Sequence, residues 1–325
     1  MLNRFLLALT ALVLAVSSLG GAAQAQTVEW RFNNSYPASR PESVQIRAFA
    51  ADVEKRTNGR MKISISEGGA LGLKDADALR FMQTGAPELG FIWPPFLGRD
   101  APALANIYVY GLVSGADEHL KALPALKAVL KEGIGKWNVE VPGFLGFSIV
   151  DASLFCREPV RSLDDLRKKK LRVGSREQVE TFKRLGVAAQ IVPQNELYSA
   201  LQTGVVDGAE NNPPTLLAQN HYTVTKVMSL TGHLIIPEIF VFSKKSWEGL
   251  SKEDQALVRK VSAEAQIEQR KLWDDYTREA ETKLKGLGVQ FVPADKPAFF
   301  KATQPIRDKY GAKYATLIKR IQDTK

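Results

Sequence analysis

Two stretches of the chain, far apart in sequence, share one pattern of a helix end, a Gly turn, a short strand and a loop stopped by two prolines. The clearer copy is Leu201-Gln-Thr-Gly-Val-Val-Asp-Gly-Ala-Glu-Asn-Asn-Pro-Pro214, and the weaker copy is Phe81-Met-Gln-Thr-Gly-Ala-Pro-Glu-Leu-Gly-Phe-Ile-Trp-Pro-Pro95. Both contain Gln-Thr-Gly, an acid three residues after that Gly, and Pro-Pro at the same offset. A chance match is the alternative, since Gly and Pro punctuate many loops. The two related units predict two similar lobes, each contributing a loop to the space between them.

The segment before residue 100 alternates between strand and helix patterns. Three segments have the composition of strands, and two segments with helical periodicity separate them. The predicted strands are Val28–Asn33, Met61–Ser66 and Leu89–Ile92. This β-α-β-α-β order favours a mostly parallel sheet with flanking helices, which binds ligands beyond the carboxyl ends of its strands. The loops expected there are 34–41, 67–72 and 93–95.

The second half repeats this α/β order and then departs from it. Residues 235–243 predict a strand that returns to the first lobe. Residues 251–284 open with a cap signature and contain almost no helix breaker, so they predict a helix of up to about 50 Å across both lobes. We therefore expect lobe 1 mainly in 26–150 and lobe 2 mainly in 151–240. We expect 241–325 to hold the return strand, the long helix and C-terminal helices shared by both.

Residues 1–25 have the layout of a secretory signal peptide. Arg4 supplies a positive region, residues 5–16 form an apolar run too short to cross a membrane, and Ala23-Gln24-Ala25 is a small-x-small cleavage pattern. An uncleaved anchor is the alternative, which the small residues after the apolar run disfavour. We expect a periplasmic, soluble protein whose mature chain begins at Gln26.

Composition narrows the class of protein. The chain of 325 residues is 45% hydrophobic and 24% charged, shares that are typical of folded globular proteins and not of disordered or multi-span membrane proteins. Its net charge of +9 is dispersed apart from Arg167-Lys168-Lys169-Lys170, and aromatic residues do not interleave with the charge. Nucleic acid is therefore not an expected partner. Cys156 is the only cysteine, which excludes an intrachain disulfide.

Signatures of catalysis and of metal or cofactor binding are absent from the sequence. It contains no G-x-S-x-G, Walker A, Rossmann or H-E-x-x-H motif. His119, His221 and His233 are too scattered to predict a metal triad. Cys156, in an apolar strand, fits a buried thiol better than a nucleophile. We expect no metal and no cofactor, which leaves isolated polar groups at strand ends as candidates for binding.

Three positions are candidates for ligand contacts. Arg172 lies near the carboxyl end of the strand predicted over 170–173, and its planar fork of donors can hold a carboxylate through two hydrogen bonds. An ordinary surface arginine or an ion pair is the alternative. Asn211 and Asn212 offer amide groups from the neighbouring loop, and Trp93 offers a flat apolar wall from the matching loop of lobe 1. Together they describe a mostly apolar pocket with a few placed polar groups.

Five motifs together are typical of one protein family. The most specific is Glu196-Leu-Tyr-Ser-Ala-Leu-Gln-Thr-Gly-Val-Val-Asp-Gly-Ala-Glu-Asn211, which Leu171-Arg-Val173 and Phe182-Lys-Arg-Leu-Gly-Val-Ala188 precede. Thr57-Asn-Gly-Arg-Met-Lys-Ile63 and Gly69-Ala-Leu-Gly72 occur in lobe 1. These motifs resemble the solute receptors of TRAP transporters, the DctP family, over essentially all of the mature chain.

The resemblance implies a periplasmic receptor with two α/β lobes, a hinge and a long helix across both. Such a receptor performs no catalysis; it closes on a small organic acid and delivers it to the TRAP membrane subunits, without being membrane-embedded itself. The resemblance implies that Arg172 binds the carboxylate and that Asn211 contacts the ligand. The other pocket positions that it implies are Asn34 or Ser35, Trp93, Asp151 and Glu238.

Two positions depart from the family pattern. Arg167-Lys168-Lys169 replaces the usual Lys-Gly, a change that we assign to a surface turn. Asp151 stands where some sialic-acid-binding members place a basic group, so it argues against sialic acid and suits a hydroxyl or amine donor. Trp93 favours a flat or apolar ligand body, such as an aromatic or keto acid.

Two other functions remain open from the residues alone. An exported hydrolase or isomerase would use Asp151, Glu238 or a histidine as acid or base, and it would turn over the compound that it binds. A receptor for an ABC-type importer would bind without turnover, and the membrane subunits encoded beside it would distinguish it.

Overall fold

The structure of the protein is a computed structural model that describes residues 27–105, 116–141, 151–235, 239–313 and 315–323. Two predictions fall outside these ranges. They are the signal peptide over 1–25, with its cleavage before Gln26, and the ligand contact at Glu238.

Within the described ranges the chain forms eleven strands and thirteen α-helices. The strands are β1 Val28–Asn33, β2 Met61–Ser66, β3 Leu89–Ile92, β4 Val139–Glu140, β5 Asp151–Cys156, β6 Lys170–Val173, β7 Ala188–Ile191, β8 Gly208–Asn211, β9 Val227–Ile235, β10 Ile239–Ser243 and β11 Gln290–Pro293. The helices are α1 Pro41–Arg56, α2 Ala78–Thr84, α3 Pro102–Ala105, α4 Ala116–Ile134, α5 Leu163–Arg167, α6 Arg176–Arg184, α7 Leu197–Thr203, α8 Pro213–Ala218, α9 Lys244–Glu248, α10 Lys252–Gly286, α11 Lys296–Ala302, α12 Gln304–Lys313 and α13 Ala315–Gln322.

Lobe 1 is built on a five-stranded sheet in the order β2-β1-β3-β10-β4. β1 pairs in parallel with β2 and with β3, as the alternation of strand and helix patterns predicts. β10 lies between β3 and β4 and is antiparallel to both. The predicted return strand is therefore β10, which completes the sheet of the first lobe.

Lobe 2 is built on a six-stranded sheet in the order β11-β9-β5-β8-β6-β7. β6 is parallel to β7 and β8, whereas β5 is antiparallel to β8 and β9. The predicted two-lobe α/β fold is confirmed. Both sheets are mixed, because β5 and β10, the first described strands after the chain changes lobe, run against their neighbours.

The long helix α10 connects the cores of the two lobes. It has 35 residues, which corresponds to about 50 Å at 1.5 Å per residue. Ser251 caps it by accepting a hydrogen bond from the backbone N–H of Asp254 at 3.0 Å. Val258 and Val261 belong to the core of lobe 1, and Leu284 belongs to the core of lobe 2. The helix therefore lies across both lobes, as predicted. In the described ranges, neither α10 nor another helix combines the length and apolarity of a membrane span.

The return strand β10 also supplies the centre of the lobe 1 core. Phe240 on β10 is fully buried. Its ring centroid lies 5.0 Å from that of Phe32 on β1 and 5.3 Å from that of Phe49 on α1. Because packed aromatic pairs stabilise a core beyond the area that they bury, a late segment of the chain is needed to complete the first lobe.

Replacing Phe240 with Ala should lower the free energy of unfolding by about 3–5 kcal/mol, because it removes a buried ring and leaves a cavity. Urea denaturation followed by circular dichroism measures the change. Phe300→Ala is the matched control, since Phe300 is 50% exposed, and it should cost about 1 kcal/mol or less. Equal losses in the two variants would contradict the role assigned to Phe240.

Candidate ligand-binding site

A cavity of about 50 Å³ lies where loops of the two lobes meet. Lobe 1 lines it with Tyr36, Arg40, Asp75, Trp93 and Phe96. Lobe 2 lines it with Arg172, Gly174, Gln194, Glu210, Asn211 and Asn212. The structure therefore brings three of the sequence-predicted residues, Arg172, Asn211 and Trp93, to one place.

Strand pairing explains why Arg172 and Asn211 share one edge of the lobe 2 sheet. β6 and β8 are parallel neighbours, with Arg172 opposite Ala209, so their carboxyl ends coincide. Loops that follow parallel strands meet at this edge. A register set by backbone hydrogen bonds thus places a guanidinium beside an amide group.

Arg172 is a buried cation held by a single backbone contact. It is 6% exposed, and its Nε donates to the carbonyl oxygen of Val192 at 2.8 Å. Among the described residues no carboxylate forms a salt bridge with it. Burial lowers the pKa of Arg172 to about 10, an effect that the negative charge of Glu210 opposes. The cation remains protonated at neutral pH, and the terminal nitrogens of its fork are suited to an anion.

Asn211 and its neighbour Asn212 have different local roles. Asn211 ends β8, is buried, and its Oδ1 accepts a hydrogen bond from the backbone N–H of Asn212 at 3.0 Å. Asn212 caps α8, since its Oδ1 accepts from the backbone N–H of Thr215 at 2.9 Å. The second Asn therefore helps to fix the loop that presents the first.

Glu210 is a buried acid in the cavity wall that sequence reasoning did not single out. His233 Nε2 lies 3.1 Å from its Oε2, and Gln178 Nε2 donates to its Oε1. The Oε1 of Gln178 in turn accepts from the backbone N–H groups of Gly174 and Ser175, at 2.8 and 2.9 Å. This network ties the carboxylate of Glu210 to the loop that follows β6. The only sequence signal for it is the run of polar residues after Asp207-Gly208.

Lobe 1 presents a second guanidinium and a second carboxylate, which the sequence did not reveal either. Arg40 is buried, its Nε donates to Oε2 of Glu42 at 2.9 Å, and its guanidinium carbon lies 3.7 Å from the centre of the Tyr36 ring. Asp75 is half-buried at the start of a short 3-10 turn. Burial raises the pKa of Asp75 to about 6, against the opposing effects of the Ser35 hydroxyl and the Arg40 cation.

Trp93 forms an aromatic wall with Phe96. It follows β3 directly, is 7% exposed, and its ring meets that of Phe96 edge to face at 4.6 Å between centroids. Its Nε1 is buried and has no hydrogen-bond partner among the described residues. The loop after β3 thus contributes to the cavity, as predicted.

The other predicted contacts differ in their placement. Asn34 is fully buried and is not among the residues that line the cavity. Its Nδ2 donates to Ser43 Oγ at 2.8 Å, and its Oδ1 accepts from the backbone N–H of Tyr36 at 3.0 Å. Asn34 therefore shapes the loop that carries Tyr36 and Arg40. Asp151 begins β5, paired with Ile235, and Glu238 lies outside the described residues.

A second histidine of lobe 2, besides His233, is influenced by the charges of this site. His221 is buried and stacks on Phe155 at 5.4 Å between ring centroids. Burial, reinforced by the positive charges of Arg172 and Arg40, lowers the pKa of His221 to about 4. It is therefore neutral at pH 7 and adds no further positive charge near Arg172.

Two lobes joined by a spanning helix, with a buried guanidinium in the cavity between them, define a solute-binding receptor. Residues 32–313 match the model of the DctP family, described as bacterial extracellular solute-binding protein, family 7. The chain belongs to this family. Its members are receptors and not enzymes, so the hydrolase and isomerase alternatives fall away.

Solved structures give the same assignment in more detail. A TRAP periplasmic solute binding protein from Pseudomonas putida F1, with bound D-glucuronate, is 36% identical, with 91% of this chain and 97% of that chain covered and a TM-score of 0.83. A TRAP periplasmic solute binding protein from Chromohalobacter salexigens, also with bound D-glucuronate, is 31% identical, with 91% and 100% covered and a TM-score of 0.84. The C4-dicarboxylate-binding periplasmic protein DctP of Rhodobacter capsulatus is 26% identical over 92% of this chain and 90% of its own length. This chain is a TRAP solute-binding receptor, as the sequence motifs predicted, and its family is periplasmic.

Replacing Asp75 with Asn should stabilise the protein above pH 6 and have little effect near pH 4. The pKa of Asp75 is raised from 3.8 to about 6 in the folded state. Folding therefore favours the protonated acid, and its contribution to stability is present below pH 3.8 and is lost as the pH rises through 6. Asn mimics the protonated form at every pH. Urea denaturation at pH 4 and pH 7.5 measures the difference.

Asp164→Asn is the matched control for this experiment, because the side chain of Asp164 is 80% exposed. A stability difference between Asp75→Asn and wild type that does not change with pH would contradict the assignment.

Proposed function

We propose that this receptor captures a hexuronate, a six-carbon sugar acid such as D-glucuronate or D-galacturonate, in the cleft between its lobes. The observation that carries the proposal is a buried arginine without an ion-pair partner among the described residues, in a cavity that two carboxylates also line. An anionic ligand with hydroxyl groups matches this combination of charges.

Arg172 would bind the carboxylate of the ligand. A cation that is 6% exposed has lost most of its hydration, so a carboxylate that reaches it forms charge-assisted hydrogen bonds in a site shielded from water. The bond from Nε to Val192 fixes the plane of the guanidinium. Asn211, on the adjacent strand end, would then orient the bound carboxylate or a neighbouring hydroxyl.

Glu210 and Asp75 favour a hydroxylated acid over a plain one. Ionised carboxylates only accept hydrogen bonds, and they repel an anion unless donor groups lie between them. The hydroxyl groups of a sugar acid supply such donors, whereas an aromatic or keto acid has few or none. For this reason we propose a sugar acid in place of the aromatic or keto acid that we expected from Trp93.

Trp93 fits a sugar ring as well as a flat aromatic ligand. A pyranose presents an apolar face of C–H groups, which packs on an aromatic wall. Relatives support the same ligand class, since the receptors from Pseudomonas putida F1 and Chromohalobacter salexigens hold D-glucuronate and one from Sulfitobacter holds β-D-galacturonate.

Export and delivery complete the proposed function. Residues 1–25 would act as a cleaved signal peptide, leaving a mature periplasmic chain that starts at Gln26. The loaded receptor would pass its ligand to the membrane subunits of a TRAP transporter. Asp151, Glu238 and Asn34 stay predictions as ligand contacts.

A thermal-shift screen followed by calorimetry tests the ligand class. The panel holds D-glucuronate, D-galacturonate, D-glucose, succinate and phenylpyruvate. A ligand that binds only the folded state raises the unfolding temperature by mass action, so we expect shifts for the uronates and none for D-glucose, which lacks a carboxylate. Binding of phenylpyruvate or succinate without binding of either uronate would contradict the proposal.

Replacing Arg172 with Ala should weaken uronate binding about 30-fold or more, because loss of a buried charged partner costs roughly 2–5 kcal/mol. Calorimetry on the purified variant measures the affinity. Arg161→Ala removes the same charge from an exposed residue of lobe 2 and should leave the affinity unchanged. Equal affinities of wild type and Arg172→Ala would show that Arg172 does not bind the carboxylate.

A further inference from the structure

The aromatic wall of lobe 1 rests directly on a glycine of lobe 2. Trp93 and Phe96 lie on the loop after β3, and Gly174 follows β6, two residues beyond Arg172. A Cβ added at Gly174 would lie 3.0 Å from Cζ3 of Trp93 and 3.2 Å from Cε1 of Phe96. These distances are shorter than carbon atoms adopt in comfortable contact. The absence of a side chain at Gly174 therefore permits the approach.

A second glycine, on lobe 1, lies at the same contact between the lobes. Gly98 belongs to lobe 1, and a Cβ there would lie 3.1 Å from the carboxyl carbon of Glu177, in the first turn of α6. The turn Pro94–Gly98 thus lies along the start of α6. The two lobes touch at glycine on each side, next to the cavity.

We propose that Gly174 is a positioning residue for ligand binding, which sets how closely the lobe 1 wall reaches the strand end that carries Arg172. The inference rests on the proposed function, since it concerns the closure of the cleft on a uronate. Gly174 touches both the aromatic wall and, through its backbone N–H, the Oε1 of Gln178 that supports Glu210.

Cavity size explains why this contact matters. The cavity of about 50 Å³ holds only a few water molecules, because one water needs roughly 10–15 Å³. The lobes must therefore separate to admit a sugar acid and close again around it. Closure stops where the lobes touch, and Gly174 is a contact beside the ligand. A side chain at this position would hold Trp93 and Phe96 away from Arg172, so the ligand could not reach polar groups of both lobes with good hydrogen-bond geometry.

The prediction concerns dissociation more than association. A ligand first meets the open cleft, which a side chain at Gly174 leaves accessible, whereas the closed cleft determines how long the ligand stays. Gly174→Ala should raise the dissociation rate of D-glucuronate about three- to tenfold and Gly174→Val about tenfold or more, in line with the cost of overpacking. The association rate should change little. Stopped-flow fluorescence, with the tryptophans as the reporter, measures both rates.

Controls separate closure from general damage. Gly135→Ala adds the same methyl group in lobe 1 where no atom lies within 4 Å, and it should leave both rates unchanged. Neither position has the left-handed backbone that favours glycine, so Ala introduces no backbone strain. Phe96→Leu combined with Gly174→Ala trims one of the two rings that the methyl group meets, and Trp93 is left in place. Adding Gly174→Ala to Phe96→Leu should raise the dissociation rate by a smaller factor than adding Gly174→Ala to wild type.

The outcomes distinguish this inference from the ligand class. Wild type that binds no uronate contradicts the proposed function, and the rates are then measured with the acid that the thermal-shift panel identifies. Equal dissociation rates for wild type and Gly174→Val, with either ligand, overturn the role of Gly174. An increase in the dissociation rate that Gly135→Ala reproduces overturns it as well.

Discussion

The cavity depends on one electrostatic constraint, which is the burial of the Arg172 cation. A guanidinium removed from water is costly unless hydrogen bonds and nearby charges compensate. Here the Val192 carbonyl accepts from Nε, and the negative charge of Glu210 attracts the cation from the neighbouring strand. His221 stays neutral nearby because burial and the two arginines lower its pKa. Much of lobe 2 around the site is therefore arranged to hold a positive charge that a ligand carboxylate would neutralise.

Each lobe has its own sheet, but segments of the chain that are shared between the lobes connect their cores. β10 carries a late segment into the sheet of lobe 1, and α10 contributes Val258 to one core and Leu284 to the other. Such connections keep the lobes together while loops at their facing edges contact or separate. Hinges in two-lobed proteins are a few loop or element-terminal residues that absorb the change in backbone angles, and the contact at Gly174 lies where the edges meet.

Local patterns predicted the parts of the site that sit on regular elements. Arg172 is the penultimate residue of its strand, Asn211 ends the neighbouring strand, and Trp93 follows the strand at the matching place in lobe 1. Alternation and strand ends were therefore sufficient to find them. Arg40 lies on a loop and Asp75 begins a short 3-10 turn, and in neither place does periodicity show which side chains face the cavity. The placement of Arg40 is visible only in the structure, where the Asn34 amide fixes the loop and the Arg40 guanidinium lies over the Tyr36 ring.

By itself the sequence determined the two α/β lobes, the return strand, the long helix and the family. Each of these depends on short-range patterns such as hydrophobic period, caps and Gly turns, or on contiguous motifs. Only the tertiary structure decided that Glu210 faces the cavity, that Asn34 supports a loop instead of lining the site, and that Gly174 meets Trp93. The physical reason is that these are side-chain contacts set by packing: Gly174 meets Trp93 across the two lobes, and the Asn34 amide bonds within its own loop to Ser43 and Tyr36, which hydrophobic periodicity does not reveal.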